Sequence, residues 1–467
     1  MLQVKGHQIV DGRGTVVRLR GTCVGGWMNM ENFINGYPGD EHGIRAAVAD
    51  ALGMSKGQFY FDRWLDTFFA EEDVALIAKS GATVVRLPLN YRHFESDAAP
   101  FQYLEAGFTR LDRVVEWCAK HRLYVILDLH AVQGWQSTDW HCDNSSRHTY
   151  FWQHAHFQDR FVALWEEFAR RYKGKEIIAG YNVMNEPVSN APAGRFYADD
   201  KYRSDWATIN RVYRRVVQAI RAIDPDHIIF LEGDLFSQRF EHLDAPFADN
   251  LVYSSHNYTG PSYGFTMSPS EEERSQNRAR QRELFLAHEG TRFAQRYQVP
   301  LWVGEFGGMG EGPLDDQLQA FEEFGAHWTI WTYKGVGFSG FVGVDPTSEY
   351  MQVLDPVLKA REALGVETFW FPGMPEPAVG KMMRELADLV AQTLNDPDID
   401  AEANLRYLRQ ATLDGYVAKL MQPGYARQFK GMSEADLDRV LQSFALRNCR
   451  PRQEILDVLG KHYRRPA

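Results

Sequence analysis

Two glutamates in this 467-residue chain stand where buried strands would end. Glu186 follows the apolar run IAGYNVMN and precedes Pro187, while Glu305 closes PLWVGE. Gly304, Gly307 and Gly308 flank Glu305 and permit a sharp turn with close backbone approach. Each glutamate alone has a structural reading: Glu186 as an acid at a helix start, Glu305 as an ion-pair partner of Arg86. A converging pair has a chemical one. Cleaving a glycosidic bond takes one carboxyl to protonate the leaving oxygen and another to stabilise or attack the oxocarbenium-like carbon. The two must then differ in proton affinity. A nearby Arg86 would keep Glu305 charged, and a drier setting against aromatic rings would keep Glu186 protonated.

The elements that could bring such a pair together are short apolar runs alternating with amphipathic helices. Eight runs qualify as strands: Val16–Thr22, Ala82–Leu87, Tyr124–His130, Ile178–Asn185, His227–Glu232, Leu251–His256, Pro300–Glu305 and His327–Tyr333. They are apolar on both faces, as parallel strands covered on both sides must be. Between them lie helical stripes, among them Leu111, Val114, Val115 and Cys118; Phe161, Leu164, Trp165 and Phe168; and Ile209, Val212, Val216, Ile220 and Ile223. Eight such units over about 350 residues predict a (β/α)8 barrel rather than a doubly wound sheet. Glu186 and Glu305 then end strands four and seven, on the face where barrel enzymes keep their reactive groups. Arg86, His130, Asn185, His256, Tyr258 and Trp331 fall at or just beyond strand ends on the same face, and so do Glu232 and Asp234.

Outside the barrel, VKGHQIVDGRGTVV predicts a hairpin with Asp11-Gly12 in its turn, placed to plug the barrel bottom. After Leu364 the character changes. Residues 369–377 read as a linker or strap, and the remainder as helices, one carrying Leu437, Val440, Leu441 and Phe444 after a Ser433 cap. The expected division is a catalytic domain over 1–370 and a helical extension over 371–467 of unknown role.

A net charge of -11 argues against nucleic acid or an anionic membrane as partner, and no stretch is apolar enough to span a bilayer. Aromatic residues make up 13% of the chain, with 12 Trp, a composition that serves a large core and also suits stacking on sugar rings. The charged N-terminus does not read as a secretory leader, and four scattered cysteines lack framework spacing. A cytoplasmic protein with reduced thiols is expected, or a secreted one if a leader has been trimmed. The run Asp139-Trp140-His141-Cys142-Asp143 does not suit a metal, because adjacent residues rarely fold onto one ion. No metal or cofactor is expected.

The motifs LRGTCVGGW, VVRLPLNYRHF, ILDLH, GYNVMNEP, SSHNY, WVGEFGG and IWTYK occur in that order. In this series the chain resembles glycoside hydrolase family 5, over roughly residues 5–365. The resemblance implies a retaining hydrolase with Glu186 as general acid/base and Glu305 as nucleophile. It further implies that Arg86 and Tyr258 orient the nucleophile and that Asn185 holds the sugar 2-hydroxyl. His130 and His256 would line the central subsite, and Trp331 would form its floor. Most family members act on β-linked glucose or mannose units. The long loops after strands one and three, the second carrying Trp135, Trp140 and His141, should wall off one end of the cleft. Short glycans or terminal sugars would then be the substrates, with Trp135, His141 and Asp143 as further substrate contacts. Transglycosylation at the same covalent intermediate and a non-catalytic sugar-binding barrel are the competing expectations.

Overall fold

β-Branched, aliphatic and aromatic residues recur through the eight apolar runs, and every one of the runs forms a strand of a single closed barrel. In this computed structural model the described residues are all except 145, 191–201, 263–269, 308–309, 338, 367–377, 397–400 and 467. The barrel strands are β1 (Arg20–Cys23), β2 (Val84–Asn90), β3 (Tyr124–Ala131), β4 (Ile178–Asn182), β5 (Ile228–Glu232), β6 (Leu251–His256), β7 (Leu301–Glu305) and β8 (His327–Ile330). Each pairs in parallel with the next, and β8 closes on β1. The strands start and stop within a few residues of the runs that predict them. The largest difference is β1, whose ladder starts at Arg20, four residues after Val16, and β4 ends at Asn182, three residues before Asn185.

The helical stripes face the sheet. Leu111, Val114, Val115 and Cys118 are buried in the helix Glu105–His121, and Phe161, Leu164, Trp165 and Phe168 in Ala155–Tyr172. In Trp206–Ile223 the stripe is buried except for Ile223, at the frayed last turn. Asp205 starts that helix by accepting from the Thr208 amide.

The N-terminal hairpin turns at Gly6-His7, between strands Gln3–Lys5 and Gln8–Val10, and not at Asp11-Gly12 as expected. Gly6 takes a positive φ of 58° there. The Asp11 turn makes a second reversal, bridged from Val10 to Val16 and held by the Asp11 carboxylate on the Arg13 and Thr15 amides. Leu2 and Ile9 share one apolar cluster with Val84, Ile126, Ile228, Val252 and Trp302 of the barrel, so the hairpin does seal that end.

The expected strap at 369–377 lies outside the described residues. Beyond it the chain returns to the barrel. Ser433 caps Glu434–Leu441 as its sequence predicts, burying Leu437, Val440 and Leu441. Phe444, Leu459 and Tyr463 belong to the main core. Strand Cys449–Pro451 adds to Val342–Val344, and Tyr463 stacks on Trp328 of β8 at 5.1 Å. Buried Lys334 ties the two parts together, bonding Asp73 at 2.5 Å and the Phe444 carbonyl at 2.9 Å. All four cysteines are unpaired.

Candidate active site

Glu305 ends β7 with both carboxylate oxygens engaged. Arg86 of β2 donates to one at 2.5 Å, and the Tyr258 hydroxyl, just past β6, donates to the other at 2.7 Å. Arg86 is fully buried and is the hub of the site. It also bonds Asn182 and Asn185, at 3.0 and 2.7 Å, and faces Asp128 at 3.1 Å and Glu232 at 3.3 Å. Burial acts to lower its proton affinity, but these surrounding carboxylates outweigh burial and raise it.

Glu186 lies across the barrel mouth. One of its oxygens bonds His256 Nδ1 at 2.7 Å, and the other lies 3.5 Å from His141 Nε2. His256 also lies 3.6 Å from Glu305 and 3.5 Å from Glu232. It can occupy that spot because residue 304 is glycine: a Cβ there would meet Ser254 Oγ at 2.5 Å and His256 Nε2 at 3.0 Å. Burial disfavours the His256 charge, but Glu232, Glu305 and the hydrogen bond to Glu186 overcome it and raise the imidazole well above its usual range. Burial likewise pushes the Glu186 carboxyl up, and the bond and charge of His256 more than reverse that. The expected aromatic, drying environment of Glu186 is therefore replaced by two histidines. One oxygen of Glu186, one of Glu305 and a His256 nitrogen all lie within 4.8 Å of one another.

Glu186 has an unusual backbone, with φ of 44° in the left-handed region, where a non-glycine residue is strained. Its amide is held by Glu232 Oε2 at 2.8 Å. Glu232 in turn accepts from Ser237, which ends a run of three left-handed residues, Leu235, Phe236 and Ser237. Burial raises the Glu232 carboxyl, but His256, Arg86 and Ser237 hold it down at about 2. Glu232 carries no role in the strand-end reading of the sequence, and the structure makes it the junction between the acid arm and the Arg86 hub.

His130 and Asn185 line the floor. His130 Nδ1 bonds Asp128 at 2.7 Å, and Asn185 Nδ2 approaches His130 Nε2 at 3.3 Å. Burial drives the His130 imidazole down to about 3, so it is neutral, donating to Asp128 and accepting from Asn185. Trp331 stacks on His130 at 5.3 Å and 7°. Its indole edge passes over Gly25, where a Cβ would meet the ring at 2.6 Å.

The structure brings together Glu186, Glu305, Arg86, His130, Asn185, His256, Tyr258, Trp331 and His141. Trp135 and Asp143 are engaged instead within the loops. Asp143 is 2% exposed, with one oxygen on the His42 amide and the other on Asn90 and Arg92. The Trp135 indole donates to the Asp143 carbonyl, and its ring lies beside Tyr150. Both brace the loop walls, because a loop of that length needs internal partners for its polar groups. Cys142 donates to the Ser137 and Asp139 carbonyls.

Glu31, absent from the strand-end residues, enters from the loop after β1. It is 3% exposed, and its Oε1 lies 3.6 Å from His130 Nε2 with no hydrogen-bond partner. Burial, together with Glu305 and Glu186, raises its carboxyl well above the usual range. Its one sequence signal is position, an acid four residues past the GlyGlyTrp stretch of a loop read as a wall.

The family model described as cellulase, glycosyl hydrolase family 5, matches residues 45–337. A β-xylosidase of Phanerodontia chrysosporium is 37% identical, over 98% of this chain and 97% of its own length. Cellodextrinase A of Ruminococcus flavefaciens is 29% identical over 58% of this chain and 77% of its own. Among solved structures, an endogalactoceramidase shares the fold with a TM-score of 0.50 at 18% identity, covering 78% of both chains. No helix among the described residues is long and apolar enough to cross a membrane.

Proposed function

The chain belongs to glycosyl hydrolase family 5 and is an O-glycosyl hydrolase of oligosaccharides or glycosides, and from that premise we propose that it is a retaining exo-β-glycosidase acting on terminal sugars of short glycans. The observation that carries the mechanism is the approach of the two carboxyls. Oxygens within 4.8 Å of each other fit the narrow spacing of retaining enzymes, ~5–5.5 Å, and fall short of the ~6.5–9.5 Å by which an inverting pair is separated.

In the first step a Glu305 oxygen forms a bond to the anomeric carbon as the bond to the aglycone oxygen breaks. Arg86 and Tyr258 hold the nucleophile in line, and Glu186 gives its proton to the leaving oxygen. A neutral sugar seated against Glu186 excludes water and raises its proton affinity, drawing the proton from the His256 side of their shared hydrogen bond. In the second step Glu186 takes a proton from water, which attacks the same carbon and frees Glu305. Asn185 and neutral His130 meet the sugar hydroxyls, over the Trp331 face.

The terminal-sugar reading rests on Glu31. A buried carboxyl with an unpartnered oxygen beside His130 is an acceptor for hydroxyls at the blind end of a pocket, where a longer chain would have to pass. The family model begins at residue 45, beyond this loop, whereas the β-xylosidase relative matches across it. Aryl β-xylosides, glucosides and mannosides, with the matching di- and tetrasaccharides, form the test panel beside Glu186→Gln and Glu305→Gln. Turnover of aryl glycosides and release of single sugars, lost in both variants, is the expected result. Mid-chain cleavage of polymer without activity on aryl glycosides or disaccharides would contradict the terminal-sugar reading, and full activity in either variant would contradict the roles.

A further inference from the structure

The two loops that wall the pocket are gripped from behind by one segment of the C-terminal helices. Gln422, 5% exposed on the helix Ala418–Arg427, reaches into the turn that ends the first wall. Its Nε2 donates to the Pro38 carbonyl at 3.1 Å and the Asp40 carbonyl at 3.2 Å. The fit is tight on both sides. A Cβ at Gly39 would lie 2.5 Å from the amide nitrogen, and one at Gly43 would lie 2.4 Å from the amide oxygen.

One turn further along the same helix, the Tyr425 hydroxyl meets those of Tyr60 at 2.7 Å and Tyr350 at 3.0 Å. Tyr350 donates to the Asn35 carbonyl at 2.7 Å, and the Asn35 side chain accepts from the Glu31 amide at 2.9 Å. A continuous chain of bonds thus runs from the tail to the residue whose carboxyl faces His130. The second wall is held just upstream. Arg147 bonds Asp139 at 2.6 Å within its loop and the Gln410 carbonyl at 3.0 Å, at the start of a π-helical stretch over Arg409–Val417. The walls also hold each other, Asn29 to the His141 carbonyl and the His42 amide to Asp143.

We propose that residues 409–425, which lie outside the barrel, are a positioning element that sets the depth of the sugar pocket, with Gln422 as its principal contact. This rests on the terminal-sugar reading of Glu31. Loops without ladder bonds to the barrel sample more than one arrangement unless something over-determines them. Here Gln422 partners the Pro38 carbonyl and adds a second donor to that of Asp40, while Tyr425 braces the Tyr350 hydroxyl that bonds the Asn35 carbonyl. The tail touches neither Glu186 nor Glu305 in any of these contacts, so its effect falls on binding of the terminal sugar.

Gln422→Met in the full chain keeps the side-chain volume and removes both donors. The expected result is a KM for the aryl glycoside raised about tenfold, kcat within about twofold, and a rise in tetrasaccharide turnover relative to disaccharide. Amide hydrogen exchange over 32–43 should speed up in parallel. Gly43→Ala, which presses on the same amide from the barrel side within a helix, should give the same pattern if Gln422→Met folds poorly. Arg439→Ala, on the outer face of the tail, should change none of these. Unchanged KM and length preference despite faster exchange, or a uniform loss of kcat on every substrate, would overturn the proposal. Glu31→Gln measured alongside separates the two readings. A normal KM in Glu31→Gln refutes the terminal-sugar pocket itself, whereas a raised KM there with a normal one in Gln422→Met refutes only the role of the tail.

Discussion

Replacing Glu232 by glutamine removes a buried negative charge while keeping an acceptor for the Glu186 amide. The charge acts mainly on His256, whose Nε2 is 3.5 Å away. At an effective dielectric of about 20 a pair at that distance interacts by on the order of 4 kcal/mol, equivalent to about three pH units of imidazole titration. Arg86 and Asp128 remain beside position 232, Glu305 and Glu186 remain beside His256, and His141 remains beside Glu186. They do not replace the lost attraction, because the carboxylates among them already act in the native protein. The direction follows from which group holds the proton. In the native site charged His256 keeps the Glu186 carboxyl below its ordinary value. A His256 that gives up its proton more readily releases that hold, and Glu186 keeps its own proton to higher pH. The basic limb of kcat/KM against pH, measured on an aryl β-glycoside, should therefore move upward by about one unit or more in Glu232→Gln. A basic limb that stays in place or moves down would refute this account of the acid arm.

Two further outcomes follow from buried contacts outside the acid arm. Arg86→Met leaves Asp128, Glu232 and Glu305 without their shared cation; stability should fall by ~3–5 kcal/mol in urea titration, with part of the loss recovered as pH falls and the carboxylates take up protons. Tyr463→Ala opens a cavity against Trp328 and should lower stability by ~3–5 kcal/mol, while kcat/KM measured well below the unfolding transition stays within about twofold.

The barrel is legible in the sequence because its strands are buried on both faces and carry an unbroken apolar signal, as in LVYSSH, whose run and strand coincide at Leu251–His256. The hairpin turn is less legible. Gly6-His7 and Asp11-Gly12 both satisfy turn chemistry, and the choice is made by where Leu2 and Ile9 must land in the barrel bottom. Strand-end position finds the groups that point into the mouth, including Arg86, Glu186, His256 and Glu305. It misses Glu31, which arrives on an irregular loop. It also misses Asp128, two residues before the end of its run and oriented by His130 and Arg86. Trp135 and Asp143 are the reverse case. Residue type and loop location suit sugar contact, but Trp135 is taken up within its own loop and Asp143 by His42, Asn90 and Arg92, pairings that only the folded loop discloses. The environment of Glu186 is out of reach for the same reason, since its amide is held from β5 and its histidine neighbours come from β6 and the loop after β3.

The central claim is that Glu305 becomes covalently bonded to the sugar while Glu186 handles the proton. Incubation with a 2-deoxy-2-fluoro-β-glycoside bearing an activated leaving group, followed by mass spectrometry of the digested protein, addresses it directly. The account predicts one fluorosugar on the peptide carrying Glu305, with activity lost in step with labelling. A label on Glu186 or another residue, or rapid turnover giving the inverted anomer and no adduct, would contradict it.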